Sequence, residues 1–93
     1  MIVVVAYDIS REEIRGRLRR YLGRLGLSII NRSVYAGVGG EKTAKRIAEK
    51  ASKIIEENDN VFIITIPEQF YDRAYIVTSG NIKRVKDTKY EIF

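Results

Sequence analysis

The chain opens on an almost unbroken apolar run, Ile2-Val3-Val4-Val5-Ala6-Tyr7, that stops at Asp8. β-Branched residues dominate it, which predicts a strand. Ile2, Val4 and Ala6 fall on one face and Val3, Val5 and Tyr7 on the other, so both faces need cover. Helices account for one face, and a second subunit is a candidate for the other. The period then changes. Ile14, Leu18, Tyr21, Leu22 and Leu25 recur at helical spacing. Ser10 and Glu13 have the S-x-x-E spacing of a capping box at the helix start, and Gly26 suits the left-handed residue that ends it. Residues 27–38 read as extended, with polar Asn31-Arg32-Ser33 either dividing the segment into two short strands or marking a bulge. Gly39-Gly40 is a turn. A second helix is predicted over about 42–57, with Ala44, Ile47, Ala48, Ala51, Ile54 and Ile55 as its apolar stripe. Asn58-Asp59-Asn60 is a turn, 61–66 is a strand stopped by Pro67, and 74–78 is a last short strand ended by Ser79-Gly80-Asn81.

The order β-α-β(β)-α-β predicts an α+β fold: a ferredoxin-like βαββαβ sandwich, an antiparallel sheet with two helices on one face. The expected organisation is one domain over 1–80 and a basic C-terminal tail over 81–93, carrying Lys83, Arg84, Lys86 and Lys89. No repeat, linker or low-complexity segment interrupts the 93 residues.

Charge adds a direction. The chain is 45% hydrophobic and 31% charged, with a net charge of +5, which favours a polyanionic partner. There is no cysteine and no histidine. Disulfides, thiolate metal sites, a Ser-His-Asp triad and a Cys-His pair are excluded, along with the usual general base near neutral pH. No apolar run is long enough to span a membrane, and the apolar start lacks a basic leader and a cleavage site, so a cytoplasmic protein is expected.

Three groups of residues are candidates for chemistry. Asp8 sits at a strand-to-helix junction. It either solvates the strand end and helps cap the helix, or binds Mg²⁺ or Mn²⁺, which a single carboxylate can share with water and substrate phosphates. Two copies of Asp8 across a dimer axis would make a better site than one. The first helix bears six arginines. Arg11, Arg15 and Arg19 lie four apart, with Arg17, Arg20 and Arg24 beside them. Such a face is either merely solvated or a phosphate-binding surface, for which planar guanidinium is suited. Tyr7 and Tyr35 are either core residues or platforms for bases. The aromatic motif of RNA-recognition sheets is absent, as are a phosphate loop and a metal-ligand cluster. Gly37, Gly39 and Gly40 read as turn residues.

Val5-Ala6-Tyr7-Asp8-Ile9-Ser10, an Arg-bearing helix ending in Leu25-Gly26-Leu27, and Asn31-Arg32-Ser33-Val34-Tyr35-Ala36-Gly37 occur in that order. Together they resemble the small CRISPR adaptation proteins of the Cas-two family, over about residues 1–80. The resemblance implies a homodimer with facing sheets, in which the C-terminal strand of one chain extends its partner's sheet and the tail packs on the partner. It implies that Asp8 from both subunits binds Mg²⁺ or Mn²⁺, with Tyr7, Arg15 and Arg17 joining Asp8 in catalysis. Arg11, Arg15, Arg17, Arg19, Arg32 and Tyr35 are the expected nucleic-acid contacts. The implied activity is metal-dependent cleavage of single-stranded RNA or double-stranded DNA. The alternative is a non-catalytic, DNA-binding bridge between CRISPR integrase (Cas-one) subunits. A small-molecule sensor on the same fold is disfavoured by the arginine-rich helix. The sequence departs from the family at Asn31, where Gln is usual, at Tyr35, where Phe is usual, and at Ile29, where some members carry Arg. Arg32, three residues later, is expected to point away from the Ile29 side.

Overall fold

A computed structural model of the chain describes residues 1–88. Strand β1 (Ile2–Asp8) is followed by helix α1 (Glu12–Arg24), strands β2 (Ser28–Asn31) and β3 (Val34–Val38), helix α2 (Glu41–Ile54) and strand β4 (Asn60–Ile66). The four strands form one antiparallel sheet in the order β2-β3-β1-β4. This is the ferredoxin-like arrangement that the periodicity predicts. The apolar run of β1 lies at the centre of the sheet, and its two faces are both apolar because the helices cover one and the C-terminal segment covers part of the other.

Val3, Val5 and Tyr7 face the helices and pack with Ile14, Leu18 and Leu22 of α1 and Ile47, Ala51 and Ile54 of α2. Leu18, Leu22 and Ile47 are fully buried. Most of the helical stripes read from the sequence form or flank this core, with Tyr21, Leu25 and Ile55 packed beside it, whereas Ala48, counted in the α2 stripe, is exposed. Leu27 and Ile9 close its ends.

The opposite sheet face is covered by the chain itself over half its length. After β4, a short helix α3 (Glu68–Tyr71) leads into strands β5 (Tyr75–Thr78) and β6 (Asn81–Arg84), which pair in a separate antiparallel hairpin, and a 3₁₀ turn follows at Val85–Asp87. Tyr71 and Val85 bury themselves against Ile2 and Ala36, with Ile76, Val4, Ile30 and Ile66 beside them. Ser79 and Gly80 both have positive φ, 52° and 79°, the two-residue turn that suits a twisted hairpin. The turn read at 79–81 is thus the middle of a hairpin, not the end of the last strand. The boundary expected at residue 80 falls within it. Lys89, counted in the basic tail, lies outside the described residues.

Other local readings change in detail. Gly26 does take the left-handed conformation, φ 90°, after α1. The capping box does not form. Arg11 is the N-cap of α1 and no side chain caps the helix. Glu13 is drawn instead to the Arg11 guanidinium at 2.7 Å, and the Ser10 amide donates to Asp59 Oδ1 at 3.2 Å. Helix α2 begins one residue before the expected start and ends three before the expected end. There the Glu56 amide donates to Asp59 Oδ2 at 2.9 Å. One carboxylate thus fastens the loop before α1 to the loop before β4. The 27–38 segment divides as one of its two readings allows, with a register shift between Ile29 and Asn31.

Gly37 is not a turn residue. It pairs with Val3 within the sheet, and a Cβ there would lie 2.9 Å from Leu27 Cα and 3.0 Å from the Gly26 carbonyl oxygen. The chain leaving α1 crosses β3 at backbone contact, which only glycine permits. Gly39 is similarly crowded, by Val3 and Thr43.

Candidate active site at the end of the first strand

The end of β1, the start of α1 and the β2–β3 turn meet in an open concavity of about 440 Å³ lined by Asp8, Ile9, Glu12, Arg15, Arg19, Arg32 and Ser33. Strand alternation decides which neighbours are exposed. Tyr7 points into the helix-side core and is 6% exposed, whereas Asp8 emerges to solvent as the strand ends. Among the described residues the Asp8 carboxylate takes neither a hydrogen bond nor an ion pair.

The remaining side chains form a connected chain of bonds. Tyr7 Oη donates to the Arg32 carbonyl at 3.1 Å and accepts from Arg19 Nε at 3.1 Å. Arg19 Nη1 donates to Glu12 Oε1 at 3.0 Å. Glu12 Oε2 accepts from Arg15 Nε and Nη2 at 3.1 and 2.6 Å. Arg15 Nη1 donates to the carbonyls of Ile9 and Ser10 at 2.7 and 2.9 Å. Arg15 therefore straps the loop that follows Asp8. The hydrogen bond from Arg15, then the charges of Arg15 and Arg19, hold the Glu12 carboxyl below the usual glutamate range. The hydrogen bond with Tyr7 raises Arg19 above its ordinary value.

The expected residues are not all brought together. Asp8, Arg15, Arg19 and Arg32 share the concavity, and Tyr7 lies beneath it. Arg17 is on another side of α1, in a separate depression with Arg20, Tyr21, Arg24, Lys50 and Ile54. Arg11 is paired with Glu13 and Glu56, both at 2.7 Å, and these partners raise its pKa. Tyr35 sits opposite Val5 in the sheet and packs half-buried on the helix-side core, so its ring is a packing element. Arg32 follows the end of β2 in the turn, so strand alternation from Ile29 does not set its direction. Arg84, in the basic C-terminal segment, is bound internally to Tyr75 Oη at 2.6 Å and the Arg73 carbonyl at 2.7 Å. Glu12 does not stand out in the sequence beyond its place in the first helical turn. Its signal is a spacing of three and seven residues from Arg15 and Arg19, neighbours on one helix face.

The described residues of a single chain do not make a complete metal site. Among the described residues no three acidic side chains cluster, and Glu12 is already engaged by two arginines. The free, exposed Asp8 carboxylate does suit a hydrated Mg²⁺ or Mn²⁺, which takes oxygen ligands and retains several waters. No helix among the described residues is long and apolar enough to cross a membrane.

Comparison with known proteins supplies a family. The family model described as CRISPR associated protein Cas2 matches residues 1–74. The CRISPR-associated endoribonuclease Cas2 of Thermofilum pendens is 54% identical over 93 residues, the whole of both chains. A Cas1/Cas2 endonuclease fusion of Thermoproteus tenax is 28% identical over 80% of this chain and 28% of its own length. Among solved structures, Streptococcus pyogenes Cas2 superposes with a TM-score of 0.63, covering 84% of this chain and all of that one at 19% identity. The fold agrees with the topology derived above. With the match over the Tyr7-Asp8 strand, the Arg-bearing helix and the Arg32–Gly37 segment, it follows that the chain belongs to the CRISPR-associated Cas2 family.

Proposed function

We propose that the protein is a CRISPR adaptation nuclease that cleaves phosphodiester bonds in single-stranded RNA or double-stranded DNA with Mg²⁺ or Mn²⁺. The observation that carries this reading is Asp8: a carboxylate that is exposed and, among the described residues, unpartnered, fixed at the end of a buried strand in a concavity it shares with Ile9, Glu12, Arg15, Arg19, Arg32 and Ser33. A phosphodiester needs cations around it, and metal-assisted hydrolysis needs an acidic ligand among them. Two Asp8 carboxylates, one from each protomer of a homodimer, would hold the ion. When bound, it supplies charge stabilisation for phosphoryl oxygens and a water of lowered pKa. A lowered water pKa would lessen the need for a general base, of which histidine, the usual one near neutral pH, is missing from the sequence.

The chain's own residues divide the remaining work. Arg32, on the β2–β3 turn, contributes positive charge at the rim. Arg15 keeps the Ile9–Ser10 backbone in place behind Asp8 and acts as a positioning residue. Tyr7 fixes the Arg32 backbone and the Arg19 guanidinium. The open half of the sheet supports dimerisation. Phe62 and Ile64 lie on the face opposite the helices and are 63% and 43% exposed, adjacent apolar side chains that a partner would cover.

The test is cleavage by wild type and Asp8→Asn of single-stranded RNA and duplex DNA, with Mg²⁺, with Mn²⁺ and with chelator. Cleavage is expected from wild type alone and only with metal, while both proteins melt at the same temperature. Cleavage by the Asn variant would remove Asp8 from the chemistry. No cleavage by either protein, with salt-sensitive duplex binding by both, would leave the second reading: a binding scaffold for a Cas1 integrase. That reading is favoured by the net charge of +5 and by the fused Cas1/Cas2 relative.

A further inference from the structure

The six arginines of α1 fall into two sets. Arg11 is paired with Glu13 and Glu56, and Arg15 and Arg19 share the carboxylate of Glu12. Arg17, Arg20 and Arg24 are exposed and, among the described residues, take no carboxylate partner. These three line a depression of about 170 Å³ between α1 and α2, and Lys50 enters it from α2. Lys50 Nζ lies 5.6 Å from the centre of the Tyr21 ring, which forms part of the lining. Four cations thus converge from two helices without a counter-charge among the described residues of the lining. Their mutual repulsion is relieved by an anion that bridges them. Arg20 also folds back along α1, its Nη1 lying where a Cβ on Gly16 would sit only 3.2 Å away. The absent side chain leaves room for that guanidinium beside the helix backbone.

Spacing narrows the class of anion. Arg17, Arg20 and Arg24 follow one side of α1 over seven residues, about 10 Å along the axis. That is the axial rise of about three successive phosphates on one nucleic-acid strand. A small anion would satisfy one or two of these groups, whereas a phosphodiester backbone laid along α1 meets all of them. We propose that the α1–α2 groove is a second nucleic-acid site that grips the backbone away from Asp8, through Arg17, Arg20, Arg24 and Lys50. It binds without cutting, since it contains no carboxylate to serve as a metal ligand. It is independent of whether Asp8 supports catalysis.

The test compares two triple variants of equal charge loss, each in the Asp8→Asn background so that no probe is consumed. R20Q/R24Q/K50Q removes the groove cations. K42Q/K45Q/K86Q removes three lysines that do not line the groove. Affinity for a short duplex DNA and for a single-stranded RNA of matching sequence is read by fluorescence anisotropy across a salt series. Thermal melts establish that all proteins are folded. The groove variant is expected to bind at least about tenfold more weakly to one or both probes, and its salt slope is expected to fall by about three, one for each phosphate no longer neutralised. The control should stay within about twofold of the parent, as dispersed charge is screened. Weakening on both probes assigns the groove to the phosphate backbone in general; weakening on one assigns it to that nucleic acid. Equal weakening in both variants, or none in either, overturns the proposal.

Discussion

The phenol of Tyr7 donates to the carbonyl oxygen of Arg32 at 3.1 Å, joining the end of the central strand to a turn 25 residues later. The Tyr7 amide meets the same turn by donating to the Ser33 carbonyl at 3.0 Å. The wall of the Asp8 concavity is thus fixed by the residue immediately before Asp8, through a hydroxyl that the apolar pattern of β1 does not require.

Replacing Tyr7 with Phe keeps the ring in the core and removes only that hydroxyl. The Arg32 carbonyl and Arg19 Nε are each left without that partner. A net decrease of about 1–2 kcal/mol in unfolding free energy is expected, measured by urea denaturation. If the hydroxyl also positions Arg32 for substrate, cleavage by the folded variant falls as well. A variant as stable as wild type would show that water replaces the phenol at no cost.

Gly37→Ala is a severe change for so small a group. The new methyl would lie 2.9 Å from Leu27 Cα and 3.0 Å from the Gly26 carbonyl, backbone atoms that cannot rotate aside. The strand must move off the α1–β2 crossing, at a cost of about 1–3 kcal/mol. Gly16→Ala provides the contrast. Its nearest neighbour is the far end of the Arg20 side chain at 3.2 Å, which can swing away. The gain in helix propensity should then stabilise the fold by about 0.5–1 kcal/mol. Thermal melts of the two variants should shift in opposite directions.

The two glycines mark the limit of what periodicity reveals. The helical stripes of α1 and α2 and the two-sided β1 are legible because side-chain period encodes burial, and burial encodes the sheet order. Gly37 is not, since a backbone-to-backbone approach leaves no pattern in side-chain hydrophobicity. The hairpin of β5 and β6 is half legible. Ser79-Gly80 announces a turn, but Ile82 is 69% exposed, so β6 lacks the apolar alternation that signals a strand. At the site, Asp8 is legible from its place after an apolar run. The separation of Arg15 from Arg17 follows from helix geometry, two residues being about 200° of rotation, but which of the two meets Asp8 is decided only by packing. The capping box fails for a related reason: the spacing is right, but Arg11 and Asp59 compete for the same groups.

Glu12 links acidity to the site. Its carboxyl is held below the usual glutamate range by Arg15 and Arg19. A depressed folded-state value means that the contribution is fully present above the unfolded glutamate pKa and is lost as pH falls through the folded value. Stability of wild type should therefore decline in the acid range below about pH 4. Glu12→Gln should flatten that part of the decline. Glu13→Gln serves as the control, since Glu13 pairs with Arg11 and not with the arginines of the concavity. Denaturation midpoints across the acid range would test this, and identical profiles for wild type and Glu12→Gln would remove the linkage.

Association is expected to depend on the uncovered half of the sheet. Tyr71, Ile76 and Val85 cover the face at the Ile2–Ile66 end. At the Ala6 end, Phe62 and Ile64 remain exposed on the same face. Phe62→Lys places a charge in the middle of that apolar area. The side chain is exposed in the protomer, so the substitution should leave the fold intact, yet it would require burying an unpaired ammonium in a dimer. Sedimentation should report a monomer mass for Phe62→Lys and a dimer mass for wild type. Ile29→Lys, also exposed but on the helix side of an edge strand opposite Tyr35, should remain dimeric. If the metal is shared between two Asp8 residues, the Phe62→Lys monomer should also lose cleavage while keeping its own Asp8. A dimer mass for Phe62→Lys would place the interface elsewhere. A monomer that still cleaves would show that one Asp8 is enough.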